Sequence, residues 1–121
     1  MKQSDIAIYE KTNQQLHDSY NEIEELSKKK PNEQINKFKL KFVNKTLEDA
    51  NGLLGEKLRP FSDFSVFNED ELPTVSDVKL MLSHYKSSMG NFWTENTTWD
   101  SLQRHHYWII NGKRSDIRAS N

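Results

Sequence analysis

A chain of 121 residues with 17 basic and 18 acidic side chains has a net charge of −1, so no overall field draws it to nucleic acid or to a membrane. It has no cysteine, which excludes disulfides and thiolate chemistry. An apolar fraction of 34% and a mean hydropathy of −0.91 suit one small core, and no stretch approaches the roughly 20 apolar residues that a bilayer crossing needs.

The leading run MKQSDIAIYEKTNQQL lacks the apolar centre of a signal peptide, and a single cytoplasmic domain over residues 1–121 is expected. Its first element spans about Ser4 to Lys29. Ile6, Tyr9, Asn13, Leu16, Tyr20 and Ile23 alternate spacings of three and four, which aligns them on one helix face. Ser4 is the expected N-cap, Lys28 to Lys30 suit the C-terminal end of the dipole, and Pro31 stops the helix.

A second helix is expected from Asn32, with Ile35, Phe38, Phe42, Val43, Leu47, Ala50 and Leu54 as a drifting apolar stripe. It should stop or fray between Asn51 and Arg59, where Gly52 and Gly55 weaken it. The short connection makes the first two helices antiparallel neighbours. Residues 57–73 hold two prolines and three phenylalanines, Phe61, Phe64 and Phe67. These rings are expected to tuck beneath the helices, through a single helical turn at 61–67.

The third helix carries the clearest pattern. Val75, Val78, Leu82, Tyr85, Met89 and Phe92 recur at three and four without a slip, and Thr74 with Asp77 resembles a capping box. This face is expected at the centre of the core. Beyond Glu95, a shorter helix capped by Thr98 would align Trp99, Leu102, His106 and Ile109 or Ile110. The rival reading takes YWII as a strand and Asn111-Gly112 as a type I′ turn, giving a small hairpin at 107–117. KRSDIRAS is a poor return strand and a lone hairpin is barely stable, so helix is the favoured reading, with the last six or so residues frayed. The fold class expected is therefore all-α: an antiparallel bundle of three long helices plus a shorter C-terminal one.

The four histidines, His17, His84, His105 and His106, show no helical metal-pair spacing, and no phosphate loop or nucleophile signature is present. No cofactor and no metal site are expected. Charge is instead segregated. Lys28 to Lys45 holds seven lysines and one acid, whereas Glu48 to Asp77 holds eight acids and two bases. Lys37, Lys41 and Lys45 repeat every four residues and share a helix face. Trp99, Tyr107 and Trp108 form an aromatic cluster of the kind enriched among interface anchors.

These features point to a small non-enzymatic module of adaptor, immunity or inhibitor type, binding another protein or a second copy through Lys37, Lys41, Lys45, Trp99, Tyr107 and Trp108. A nucleic-acid-associated role for the lysine face is the alternative, weakened by the pI of about 6.4 and the absence of any reading motif. A histidine-dependent enzyme comes third.

Overall fold

The computed structural model describes residues 1–120. In chain order it contains α1 (Ser4–Lys29), α2 (Lys37–Leu58), α3 (Val75–Glu95), β1 (Thr97–Asp100), β2 (His105–Ile110) and β3 (Lys113–Arg118). The strands form one antiparallel sheet in the order β1-β2-β3. The architecture is mixed α and β, which overturns the expectation of an all-α helical bundle with a fourth helix.

The correction has a local cause. Asn111 and Gly112 adopt φ of 50° and 79°. Two consecutive positive φ values are what a type I′ turn requires, and its twist matches the strands on either side. Thr98 and Trp99, expected to start a helix, join Thr97 instead in a third strand opposite Tyr107, His106 and Trp108. That third strand removes the objection that a lone hairpin is marginal. The polar return strand survives because it lies at a sheet edge, where charge is favoured. Its register shifts between Tyr107 and Ile109, and the Ser115 hydroxyl donates to the Trp108 carbonyl at 2.7 Å across that irregularity. Fraying is also absent up to Ala119, which is buried and donates its N–H to His106 at 2.9 Å; Asn121 lies outside the described residues.

The sheet is fastened to the helices by aromatic rings. Trp108 is 1% exposed and meets Tyr9 of α1 edge-on at 5.2 Å. Tyr9 in turn stacks on Phe92 of α3 at 5.6 Å. Burial pushes the Tyr9 hydroxyl up to a pKa of about 12, with Glu10 adding to the shift.

On α3 the expected core face is fully buried, from Val75 through Val78, Leu82, Tyr85 and Met89 to Phe92. The Thr74–Asp77 capping box forms, each side chain bonding the other's backbone N–H. On α1, Ile6, Tyr9, Leu16 and Ile23 are buried, and Thr12 rather than Asn13 completes the seam. Ser4 does not cap. The Asp5 carboxylate accepts the Lys2 N–H at 3.0 Å instead.

α2 begins at Lys37, later than Asn32. After a turn at 31–32, Gln34 bridges Thr74 antiparallel: Ile35 donates to Pro73 and Val75 donates to Glu33, both at 2.9 Å. Asn36 then caps α2 by accepting the Lys39 N–H at 2.7 Å. Gly55, at φ 65°, breaks the helix within the stretch expected to loosen. Residues 59–74 contain no helical turn. Side chains hold this segment in place of a backbone ladder. Asn44 bonds both the N–H and the carbonyl of Phe67, and Asn51 and Arg59 donate to the Ser65 and Phe64 carbonyls. Phe64 and Phe67 pack half-buried on the core, whereas Phe61 is 38% exposed against His84.

Candidate functional site

Helix α2 buries Leu40, Val43, Leu47, Ala50 and Leu54, whose spacings of three and four define its inner face. At about 3.6 residues per turn the opposite face carries Phe38, Lys41, Phe42 and Lys45, with Lys37 exposed on the flank at the helix start. The expectation that Phe38 and Phe42 belong to the core is corrected here. They are 71% and 55% exposed, and their rings meet edge to face at 5.0 Å. The missed signal was Leu40, which extends the inner stripe cleanly to the helix start and leaves both phenylalanines on the lysine side.

The three predicted lysines are all exposed, and they differ in state. Lys45 is paired with Asp49 at 3.0 Å, which raises its pKa through the hydrogen bond and the carboxylate charge. Among the described residues Lys37 and Lys41 have no carboxylate within ion-pair distance. Lys39, beside them, reaches across to Glu22 of α1 at 2.8 Å. The face is thus a two-ring apolar ridge flanked by two free cations on a rigid helix.

Two hollows lie along the outer seam between α1 and α2. One, of about 310 Å³, is lined by Ile23, Phe38, Phe42 and Val43, with Ser19 and Glu22 at its rim. The other, of about 560 Å³, lies further along and is lined by Ile8, Thr12, Gly52 and Leu53, with Lys45 and Asp49. Ile8 is 45% exposed there. Glu69, from the acidic part of the 59–74 connection, shares a shallow depression with Lys41, Phe42 and Lys45.

The aromatic residues named from the sequence separate. Trp108 is part of the core and Tyr107 is 3% exposed, its ring covered by the Arg114 guanidinium at 4.2 Å and its hydroxyl bonded to Gln103. Trp99 is exposed and lies against His106, whose other neighbour is Trp93. The structure does not bring this group to the lysines. Trp108 packs at Tyr9 of α1 while Lys39 meets Glu22, about 20 Å away along the same helix.

The histidines occupy separate surroundings. His17 bonds Asn21, His84 packs on Phe61, His105 is exposed and His106 sits between two indoles. Among the described residues no three His, Asp or Glu side chains gather as metal ligands, and no helix is long and apolar enough to cross a membrane. No protein-family model, no curated protein and no solved structure matches this chain.

Proposed function

We propose that the chain is a small non-enzymatic protein-binding module, of adaptor, immunity or inhibitor type, that docks its partner on the outer face of α2. The observation that carries this reading is the Phe38–Phe42 pair, largely exposed and in mutual contact beside the unpaired Lys37 and Lys41. Exposed aromatic surface rimmed by polar groups marks interaction sites, because covering it removes apolar area from water. Aromatic rings are enriched at such contacts and lysine rims add charge selection and faster encounter. The partner surface is apolar with an acidic border. The cytoplasm is the setting that this reading assumes.

The test is a comparative capture with immobilised protein. A partner retained by the natural chain should be lost with Phe38→Ser/Phe42→Ser and weakened by Lys37→Glu/Lys41→Glu. It should be kept by Leu80→Ser, since Leu80 is an exposed apolar residue on α3. Retention indifferent to the phenylalanines overturns the reading. Retention on a nucleic-acid column that is lost with added salt and with the lysine changes alone would favour phosphate binding instead.

A further inference from the structure

We infer that the partner on this face is a second copy of the chain, docked antiparallel across α2 by a two-fold axis near Lys45. This inference rests on the protein-binding reading and identifies the occupant. Phe38, Phe42, Lys45, Asp49 and Gly52 fall at spacings of four, three, four and three, so they form one stripe along the outer side of α2. Its two ends are unlike. The N-terminal end is an apolar ridge with free lysines. The C-terminal end is a hollow of about 560 Å³ lined by Ile8, Gly52 and Leu53, bordered by three carboxylates, Glu48 and Asp49 among them, and by Lys11 and Lys45. Gly52 has no atom within 4 Å of the place where a Cβ would stand, so the hollow is open at that point.

A two-fold contact places one end of each copy on the opposite end of the other. Reversing a second α2 about Lys45 sets Phe38 against Gly52 and Leu53 of the other copy and Lys41 against Asp49 of the other copy. Each Phe38 then meets a hollow and each Lys41 an acid, twice, while Lys37 falls over Leu53 and Phe42 beside Glu48. Lys45 lies on the axis, where its own Asp49 at 3.0 Å tempers repulsion between the two copies. A parallel arrangement would oppose lysine to lysine and leave the hollow unfilled. The stripe is about 21 Å long over its fifteen residues, which puts the contact at the small end of stable interfaces.

The experiment is sedimentation equilibrium on the full chain across a wide concentration range. The natural protein should shift from 14.3 kDa to twice that mass. Phe38→Ser/Phe42→Ser should remain monomeric with an unchanged circular dichroism spectrum. Lys41→Glu alone and Asp49→Lys alone should each weaken self-association about tenfold. Mixing those two single variants should restore it. In the mixed dimer the carboxylate introduced at position 41 of one copy faces the ammonium introduced at position 49 of the other, and across the axis Lys41 still faces Asp49. A natural chain that stays monomeric to high concentration overturns the inference. So does a dimer that survives loss of both phenylalanines, or single variants that no mixing rescues. A monomer that still captures a different protein through Phe38 and Phe42 would sink the second copy and leave the binding reading standing.

Discussion

The Asn44 side chain closes on the backbone of Phe67 from both sides: its amide nitrogen donates to the carbonyl at 2.8 Å and its oxygen accepts the N–H at 3.0 Å. Asn44 is 4% exposed, so both bonds are shielded. A side chain of α2 thereby does for the 59–74 connection what a neighbouring strand would do. Asn51, two turns further on, extends the arrangement, donating to Ser65 at 2.8 Å and accepting the buried Tyr85 hydroxyl at 2.6 Å.

Asn44→Ala should therefore destabilise the protein by about 2–3 kcal/mol, because it orphans a backbone donor and acceptor together. Asn44→Asp should be no better, since a carboxylate cannot donate to the Phe67 carbonyl. Urea denaturation measures the loss, and limited proteolysis should show new cleavage within residues 59–74.

The two faces of α2 should respond oppositely to truncation. Leu40→Ala, at a fully buried position, should cost about 2–5 kcal/mol. Phe42→Ala, at a residue 55% exposed, should stay within about 0.5 kcal/mol of the parent in dilute solution. Thermal denaturation at low protein concentration separates the two. Equal losses would place Phe42 in the core and remove the docking ridge.

At the sheet, Gly112→Val should cost at least about 1 kcal/mol, because φ of 79° is a region that a β-branched residue avoids. Asn111→Gly should be tolerated, since glycine adopts the same positive φ. Trp108→Ala should cost about 3–5 kcal/mol and loosen the sheet from Tyr9. Amide exchange in residues 105–118 reads both effects.

The pH dependence follows from Tyr9. Its folded pKa of about 12 lies above the ordinary 10.0, so the folded state holds the proton more tightly than the unfolded one. The resulting stability is fully present below pH 10 and is lost as pH rises from there toward 12. Burial raises Tyr85 as well, against the opposing pull of Asn51 and Arg59, and contributes with the same sign. Tyr9→Phe should flatten the alkaline fall by up to about 2 kcal/mol. It should cost little at neutral pH, because the Tyr9 hydroxyl is buried without a protein hydrogen bond. Denaturant midpoints at pH 8 and pH 11 provide the comparison.

The helices were legible where periodicity and capping agreed. The face from Val75 to Phe92 and the Thr74–Asp77 box could be read directly, because both are local signals. The C-terminal sheet was less legible. Asn111-Gly112 marked the turn, yet the stability of the hairpin depended on Thr97 to Asp100 pairing beside it, which no local pattern announces. In α2, Phe38 and Phe42 mislead because they continue a spacing of three and four from Ile35, while the Leu40–Val43–Leu47 periodicity places them outside. The lysines remain exposed under that correction, since Lys41 and Lys45 lie opposite the true inner face and Lys37 stands on the flank at the helix start. The anchor role of Tyr107 and Trp108 could not be judged from composition, because core and interface use the same residue types.

Hydroxyl-radical footprinting of Phe38 and Phe42 tests the docking face most directly. In the dilute, isolated chain both rings should label heavily, and in the presence of the captured partner or at self-associating concentrations both should be protected while Leu80 and Leu102 stay reactive. Rings that resist labelling when the chain is alone, or that label equally with and without bound protein, would contradict the account.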